Sequence, residues 1–313
     1  MKNLKTAVIG VGHLGRFHAQ KYANVSDLQG IYDANPDRAA EVARELGCRT
    51  FASIPELLAS VEAISIATPT STHHEVAEEA LRAGVHCLVE KPFTLDIPEA
   101  DALIALAQER QLVLAVGHIK RVHPAIRYLR QVGYGAPRYL EAERLAPFKA
   151  RSLDIDVIMD LMIHDLDLTL LLTEAEPVDV RAVGVAAVTD KADMANAWIT
   201  LSNGTVANLA ASRVVREPAR RLRIFWQDRY ASVDFIQNTL HIYHRGEGAV
   251  PGIPGVRDEA VNLAKTDALA AEIEDFLGAV LRQSPVFCDG MAGRRVLAAA
   301  LQVRKAVDGF LSR

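Results

Sequence analysis

The first fifteen residues constrain the fold of this chain more than any other stretch. An apolar run, KTAVI at 5–9, leads directly into Gly10, Gly12 and Gly15, and a helical pattern follows at 14–23. A buried strand that ends in a glycine turn and continues as a helix is typical of the start of a doubly wound parallel sheet. Strand and helix patterns alternate up to about residue 120, so this α/β architecture is predicted for the whole N-terminal part.

The individual elements of that part follow from their boundaries. Short runs that are apolar on both faces predict buried parallel strands. Pro36 and Pro98 fit first-turn positions of helices, and Gly47 and Gly84 fit helix ends. The predicted strands are 5–9, 28–33, 63–67, 86–90 and 112–116, and the predicted helices are 14–23, 36–46, 72–83 and 97–110.

The spacing Gly10-x-Gly12-x-x-Gly15 predicts a dinucleotide-binding turn, because of where it stands between strand and helix. Gly10 permits the tight turn, Gly12 lets a pyrophosphate approach the backbone, and Gly15 permits close helix packing. The phosphates would lie at the start of the helix, where His13 and Leu14 are predicted to contact the cofactor.

The end of the second predicted strand indicates which dinucleotide binds. Asp33 stands 23 residues after Gly10. A carboxylate there would accept hydrogen bonds from both ribose hydroxyls and would repel a 2′-phosphate. We therefore expect NAD rather than NADP, with some tolerance for NADP left open by Arg38 nearby.

After about residue 120 the pattern changes to strands in series, which predicts two domains, 1–120 and 121–313. Asn203-Gly204 between two alternating runs predicts a tight hairpin. The second domain is thus expected to be α+β, with a large open antiparallel sheet and a Gly/Pro-rich loop at 245–256. Its predicted strands are 137–146, 178–188, 195–202, 205–214, 221–226, 229–236 and 239–244, and its helices 123–132, about 156–173, about 266–282 and 290–311.

One helix of the second domain carries charge in an apolar setting. Asp160, His164 and Asp167 are spaced i, i+4, i+7 and therefore share one face of the helix predicted at 156–173. Taken alone, this pattern favours acids near a helix start beside a core histidine. We interpret Asp167 as structural.

Composition excludes several classes of function. The net charge of −4 gives no field that would attract nucleic acid or an anionic membrane, and no apolar run is long enough to span a bilayer. The N-terminus is predicted to be a strand, not a signal peptide. Cys48, Cys87 and Cys288 are scattered, so we predict no disulfide framework, no metal site and a cytoplasmic location.

Further motifs carry a family resemblance. Glu90-Lys91-Pro92 ends the strand at 86–90, and the spacing Asp160-x-x-x-His164-x-x-Asp167 follows later. Together with ATPTSTHHE (67–75) and VGHIKRVHPA (116–125), they resemble the Gfo/Idh/MocA oxidoreductases over essentially the whole chain. The resemblance implies an N-terminal Rossmann domain. It also implies that a substrate pocket opposite the nicotinamide is lined by Lys91, Asp160 and His164, and that the cofactor is contacted by Thr68, Pro69, His73, Glu90 and Lys91.

A narrower resemblance concerns the substrate. RLAPFKARSLDIDVIMDLMIHDLDL and ANLAASRVVREPARRLRIF are similar to a subgroup that oxidises UDP-N-acetylglucosamine at C3 of the sugar. It implies a 3-keto product that passes to an aminotransferase, for a 2,3-diamino sugar of lipid A. A diphosphate favours basic partners, so Lys149, Arg213 and Arg121 are predicted substrate contacts. His123 departs from the asparagine that relatives often carry there.

Oxidation of a secondary alcohol needs a base for the hydroxyl proton while the hydride leaves for C4 of the nicotinamide. His164 is one candidate, with Asp160 holding its ring and Lys91 donating to the developing alkoxide. The reverse, with Lys91 as base and His164 as donor, stays open.

Other interpretations of the same residues remain. A related dehydrogenase could act on inositol, a free sugar or a UDP-sugar uronate, and a non-catalytic NAD sensor is the alternative from another class. Retention of Lys91, Asp160 and His164 argues against the sensor. By analogy with relatives, the open sheet face predicts a homodimer or homotetramer. Residues that support a two-sided sheet are Trp198, Ile199, Leu201, Val206 and Leu209.

Overall fold

A computed structural model describes residues 3–149, 155–245, 255–282 and 284–312. The chain forms two compact units. The first comprises Met1–Val122 and Asp267–Leu297, and the second comprises His123–Thr266 and Ala298–Arg313.

The first unit contains a parallel sheet of six strands in the order β3-β2-β1-β4-β5-β6. The order reverses between β1 and β4, and open sheets of this kind bind ligands at the carboxyl ends of the strands beside such a reversal. Its elements are β1 Lys5–Ile9, α1 His13–Val25, β2 Asp27–Tyr32, α2 Pro36–Leu46, β3 Arg49–Thr50, α3 Ile54–Leu58, β4 Ala63–Ile66, α4 His73–Arg82, β5 His86–Glu90, α5 Ile97–Arg110 and β6 Leu114–Gly117.

Local sequence explains most of these boundaries. The side chain of Asn35 accepts hydrogen bonds from the amides of Asp37 and Arg38 at the start of α2, and Gly47 ends that helix in the left-handed conformation. Asp96 caps α5 in the same way through the amide of Glu99. The elements β3 and α3 were not predicted, because two and five residues are too few to show a periodic pattern.

The second unit contains a sheet of eight strands in the order β14-β13-β12-β11-β7-β10-β9-β8. Its elements are α6 Pro124–Val132, β7 Tyr139–Leu145, a π-helical turn Ile158–Met162, α7 Ile163–Thr173, β8 Pro177–Val185, β9 Met194–Leu201, β10 Val206–Ser212, β11 Ala219–Phe225, β12 Arg229–Asp234, β13 Thr239–Arg245 and β14 Val256–Val261.

The predicted antiparallel sheet is mostly antiparallel, with one exception. β7 and β10 pair in parallel, which is possible because a long crossover containing α7 joins them. The last strand, β14, was not predicted. Most of the predicted loop at 245–256 lies outside the described residues, which resume at Gly255.

The two faces of this sheet differ in burial because side chains alternate along each strand. Ile199, Leu201 and Leu209 are buried on one face. On the other face Trp198 is 47 % exposed and Val206 is half-buried. The predicted two-sided character of these strands is therefore observed.

Two helices close the chain, α8 Ala268–Val280 and α9 Gly290–Leu311. The structure differs here from the predicted boundary, which assigned everything after residue 120 to one domain. Ile273 and Phe276 of α8 join the same hydrophobic core as Ala19 and Tyr22 of α1, so burial of the apolar face of α8 places it in the first unit. Among the described helices, none combines the length and apolar character needed to cross a membrane.

Candidate active site

The glycine turn between β1 and α1 is shaped by two different requirements. A Cβ atom on Gly10, whose φ is +83°, would lie 2.8 Å from the backbone of Ala67 and Thr68, and one on Gly15 would lie 1.8 Å from the carbonyl oxygen of Gly10. These two glycines are needed for close packing. By contrast, a Cβ on Gly12 would have no atom within 4 Å among the described residues. That open space at the start of a helix fits a pyrophosphate, so the turn is compatible with a bound dinucleotide.

Asp33 is fixed at the end of β2 by backbone amides. Its Oδ2 accepts a hydrogen bond of 2.7 Å from the amide of Val11, and its Oδ1 accepts one of 2.9 Å from the amide of Asn35. Arg38 lies against the same turn, with Nε donating to the carbonyl of Val11 at 2.9 Å and Nη1 paired with Glu41. The carboxylate thus keeps its orientation beside the glycine turn, and the guanidinium is already engaged.

A cleft of about 470 Å³ opens next to Asp33. Thr50 and Phe51 contribute to its wall, and the guanidinium of Arg49 lies 4.0 Å from the ring centre of Phe51. This cleft has the size and the carboxylate that the adenosine part of a dinucleotide requires. Thr50 and Phe51 were not predicted as site residues, because the strand that positions them is too short to be recognised.

The segment after β4 contains the predicted cofactor contacts Thr68, Pro69 and His73. Thr68 is half-buried, Pro69 is exposed and His73 is buried. The ring of His73 lies between two carbonyl oxygens, with Nε2 2.9 Å from that of Thr68 and Nδ1 2.9 Å from that of Pro92. Burial lowers the pKa of His73. The ring of His73 therefore connects the segment after β4 with the segment after β5. Its direct contact with the cofactor stays a prediction.

Lys91 follows β5 at the carboxyl edge of the sheet, where it is half-buried and precedes Pro92 through a cis peptide bond. Its backbone amide donates to Oε2 of Glu90 at 3.2 Å, and Oε1 of Glu90 lies 2.9 Å from Nε2 of His18 on α1. Burial raises the pKa of Glu90, but the hydrogen bond with His18 and the charge of Lys91 outweigh it, so that the pKa lies below its usual value. The carboxylate beside Lys91 is therefore ionised at neutral pH.

His18 was not recognised from the sequence, although a signal was present. Gly15, His18, Ala19 and Tyr22 form the buried face of α1 at helical spacing. A histidine within a stripe that is otherwise small or aromatic requires a buried polar partner, which is Glu90.

In the second unit, Asp160 and His164 lie where two kinds of helix meet. Asp160 belongs to the π-helical turn, and His164 lies in the first turn of α7. The carboxylate of Asp156 starts this segment by accepting from the amide of Met159 at 2.9 Å. Single π-turns inside helices are frequent at functional sites, and here the wider turn replaces the α-helical spacing that the sequence predicted.

The three charged residues of that predicted helix face have different surroundings. Asp160 and His164 are half-buried, whereas Asp167 is fully buried. Asp165 is also buried, and both of its oxygens accept from Arg144, at 2.9 Å from Nε and 2.6 Å from Nη2. This ion pair on the residue next to His164 was not predicted, because Arg144 lies on a strand far away in sequence.

The predicted substrate contacts Lys149, Arg121 and Arg213 lie in different environments. Lys149 is exposed at the edge of the described residues. Arg121 is buried in the first unit, and its Nη1 donates to the carbonyl of Phe287 at 2.8 Å. The sequence predicted Arg213 to reach the substrate, but its side chain is only 6 % exposed.

Arg213 instead holds its own unit together. Its Nε donates to Asp193 at 2.9 Å, Nη1 to the carbonyl of Ile155 at 2.9 Å and Nη2 to the hydroxyl of Thr189 at 3.1 Å. Burial raises the pKa of Asp193, but backbone amides and Arg213 lower it by more, and the carboxylate stays ionised. The contact with Ile155 supports the chain just before the π-turn, so Arg213 has a structural role in its own unit, and its contact with the substrate stays a prediction.

Two family models match the chain. One is described as an oxidoreductase family with an NAD-binding Rossmann fold and matches residues 4–118. The other is the Gfo/Idh/MocA C-terminal domain and matches residues 125–230. The chain belongs to the Gfo/Idh/MocA family. As a member of that family it is an NAD-binding oxidoreductase, and the open glycine turn and the cleft beside Asp33 are consistent with that cofactor.

Individual family members extend the comparison. The UDP-N-acetylglucosamine 3-dehydrogenase of Acidithiobacillus ferrooxidans is 80 % identical over 313 residues, which is 100 % of both chains. A crystal structure of that enzyme superposes with a TM-score of 0.98 over 100 % of both chains. The scyllo-inositol dehydrogenase of Lactobacillus casei, solved with NAD(H) and scyllo-inositol, is 21 % identical over 98 % of both chains with a TM-score of 0.82, which shows a shared fold alone.

Proposed function

We propose that this Gfo/Idh/MocA protein oxidises the C3 hydroxyl of UDP-N-acetylglucosamine to a ketone, with NAD as the oxidant. The observation that carries the proposal is the 80 % identity, over the full length of both chains, to an enzyme of that name. Inositol and free sugars are less well supported as substrates, because the inositol 2-dehydrogenase of Rhizobium meliloti is only 26 % identical over 95 % of this chain.

The cofactor would be held by the first unit. Gly10, Gly12 and Gly15 would accommodate the pyrophosphate, with His13 and Leu14, both exposed at the start of α1, beside it. Asp33 would bind the adenosine ribose, and Thr68, Pro69 and Glu90 are proposed to border the nicotinamide side. Bound NAD supplies the carbon that receives the hydride.

The chemistry requires one group that takes the hydroxyl proton and one that stabilises the alkoxide. We assign these tasks to His164 and Lys91, with Asp160 orienting the imidazole. In the variant that the sequence left open, the amine of Lys91 takes the proton and His164 donates. In both variants the ionised carboxylate of Glu90 holds the backbone of Lys91 in place.

Basic residues are proposed to meet the diphosphate of the substrate. Lys149 is exposed and available, and Arg121 is proposed as a second contact. Arg213 stays a predicted contact, although its side chain also donates to Asp193 and to the carbonyl of Ile155.

The chemistry of the product indicates the next reaction and the place where both occur. A 3-keto sugar nucleotide is a substrate for an aminotransferase, and we propose that such an enzyme consumes the product on the way to a 2,3-diamino sugar for lipid A. A cytoplasmic location is supported by Cys48, Cys87 and Cys288, none of which forms a disulfide bond in the part of the chain that the structure describes.

Self-association is supported by the open face of the eight-stranded sheet. Five aromatic rings from five strands form one row across it, with ring centres 6.0, 5.7, 4.6 and 5.4 Å apart between neighbours. Such a row is a surface that a second copy could cover, and we propose a homodimer or homotetramer built on it. The row consists of Trp198, Tyr139, Phe225, Tyr230 and Tyr243.

The proposed activity is tested by an absorbance assay for NADH with purified protein, NAD and UDP-N-acetylglucosamine, with an aminotransferase added to trap the ketone. Myo-inositol and glucose serve as control substrates. Turnover of the UDP-sugar alone supports the proposal, and faster turnover of either control contradicts it. Asp33→Ala should weaken NAD binding and leave turnover at saturating NAD largely intact.

A further inference from the structure

A chain of buried polar side chains extends from Lys91 into the core of the first unit. Oε1 of Glu90 lies 2.9 Å from Nε2 of His18, Nδ1 of His18 lies 3.0 Å from the hydroxyl of Ser65, and that hydroxyl lies 2.8 Å from the hydroxyl of Tyr22. His18, Ser65 and Tyr22 are fully buried, and Glu90 is 8 % exposed. Polar groups buried this deeply are costly unless all their hydrogen bonds are made.

One arrangement of hydrogens satisfies the chain without any further acceptor. Tyr22 donates to Ser65, Ser65 donates to Nδ1 of His18, and Nε2–H of a neutral His18 donates to Glu90. A doubly protonated ring would donate to Ser65 instead, and one hydroxyl proton, that of Ser65 or that of Tyr22, would then need another acceptor. The arrangement therefore places a single negative charge on Glu90, whose second oxygen accepts from the backbone amide of Lys91.

We propose that His18 is a positioning residue, which holds the carboxylate of Glu90 against the backbone amide of Lys91 and thereby keeps the Lys91 side chain in place for its action on the substrate. The inference deepens the proposed function, since it rests on Lys91 acting at the substrate hydroxyl. His18 itself contacts neither reactant, because it lies behind Glu90 and is fully buried.

The charged and titratable groups around Glu90 come from several elements. Besides Lys91 and His18, they include His73 on α4. Burial lowers the pKa of His73, and the negative charge of Glu90 opposes part of that lowering. From β6, Gly117 packs against the carboxylate, where an added Cβ would lie 3.0 Å from Cδ of Glu90. At the Tyr22 end of this row of buried side chains, the pKa of Tyr22 is raised, first by burial and further by Glu272 of α8 and Cys87 of β5.

The fit of Gly117 against the carboxylate limits where that carboxylate can move. A carboxylate that loses the hydrogen bond from His18 is left buried beside a glycine, which has no side-chain donor to replace the imidazole, and it takes up a proton more readily. The backbone amide of Lys91 then loses its fixed acceptor. Removal of the donor should therefore loosen the position of Lys91.

The first test is the kinetics of NAD-dependent oxidation of UDP-N-acetylglucosamine. His18→Leu should reduce kcat about tenfold, while the KM for the UDP-sugar and the affinity for NAD are kept. His18→Gln retains a donor and should restore most of the wild-type kcat. His86→Gln, on a half-buried histidine of the same unit, is the matched control and should leave kcat unchanged. A wild-type kcat in folded His18→Leu overturns the proposal.

A second test does not depend on turnover. The lysines of the full-length protein are reductively methylated with isotope-labelled methyl groups, and the signal of Lys91 is assigned by its loss in Lys91→Arg. Its NMR chemical shift at a fixed pH should change in His18→Leu and return towards the wild-type value in His18→Gln, and an unchanged chemical shift in His18→Leu overturns the proposal. If the wild-type protein oxidises no UDP-sugar, the proposed function fails, but this chemical shift still decides the role of His18.

A further variant covers the case in which His18→Leu does not fold, as judged by circular dichroism. Ser65→Ala removes only the partner of Nδ1 and leaves the imidazole in place. The less firmly held imidazole should change kcat and the Lys91 chemical shift in the same direction as His18→Leu, by a smaller amount. A folded Ser65→Ala protein with a wild-type Lys91 chemical shift and wild-type activity would assign the buried chain to packing and overturn the proposal.

Discussion

The buried pair of Arg144 and Asp165 allows a stability prediction that also concerns α7, the helix that carries His164. Its side chains are 4 % and 2 % exposed, and the guanidinium donates to both oxygens of the carboxylate. Arg144→Ala would leave the Asp165 charge buried without this partner, next to His164. Removing one partner of a buried ion pair costs about 3–5 kcal/mol of unfolding free energy.

The loss can be measured selectively for the second unit. The chain has only two tryptophans, Trp198 and Trp226, and both belong to that unit, so tryptophan fluorescence follows its unfolding. With a urea dependence of about 2 kcal/mol per molar, the unfolding midpoint of Arg144→Ala should fall by about 1.5–2.5 M. A control variant, Arg181→Ala, breaks a pair with Asp179 in which the arginine side chain is 81 % exposed, and should cost less than about 1 kcal/mol.

A double variant tests the cause. Arg144→Met with Asp165→Leu removes both charges and keeps apolar volume, so it should recover most of the stability that Arg144→Ala loses. If Arg144→Ala destabilises no more than Arg181→Ala, burial does not set the cost of breaking the pair. If the double variant is as unstable as the single one, the loss comes from packing and not from an uncompensated charge.

Both units offer additional tests. Gly15→Ala should abolish NAD binding, measured by quenching of protein fluorescence, because its Cβ would lie 1.8 Å from the carbonyl oxygen of Gly10. His164→Ala and Lys91→Ala should each lower kcat by about two orders of magnitude with NAD affinity nearly unchanged in the same titration. The pKa of His73 is lowered from 6.5 by burial, so the unfolded chain binds the proton first. Stability should thus be full above pH 6.5 and decline as the pH falls below it, with a shallower decline for His73→Gln in chemical unfolding. Trp198→Glu places a charge on the sheet face that is proposed to bind a second copy, so in light scattering coupled to size-exclusion chromatography it should give a monomer in place of the proposed oligomer.

Each of these predictions has a result that contradicts it. NAD binding by Gly15→Ala at wild-type affinity would show that the turn has room that the structure lacks. Loss of NAD affinity in His164→Ala would place that residue at the cofactor. An unchanged slope of stability against pH in His73→Gln would assign the titration elsewhere. Persistence of the oligomer in Trp198→Glu, with dissociation in a variant of an exposed residue such as Val132→Glu on α6, would move the interface off the sheet.

Much of the first unit was predictable because its signals are local. The glycine spacing, the caps at Asn35 and Asp96, and the apolar runs depend only on neighbouring residues, and the predicted strands and helices agree with the structure within a few residues. Elements without a local signal were missed. β3 has two residues, and β14 follows a stretch rich in glycine and proline that predicts a loop.

The candidate site residues were named from the sequence, but their surroundings were not. Lys91, Asp160 and His164 were predicted through a family resemblance, and all three are partly exposed, which their predicted roles require. Arg213 shows the limit, because nothing in the sequence indicated the hydrogen bonds that this arginine makes within its own unit. Its partner Asp193 lies twenty residues earlier, just before β9.

Consecutive residues alone specify a dinucleotide-binding α/β unit followed by an α+β unit, since backbone periodicity and turn chemistry are local properties of the chain. Three features depend on contacts between distant segments: α8 packs with the first unit, Arg144 neutralises the residue next to His164, and His18 lies behind Glu90. The physical reason is that the charge state and orientation of a buried group depend on which distant side chains enclose it. Such pairings join residues 21 and 72 positions apart and leave no periodic trace along the chain.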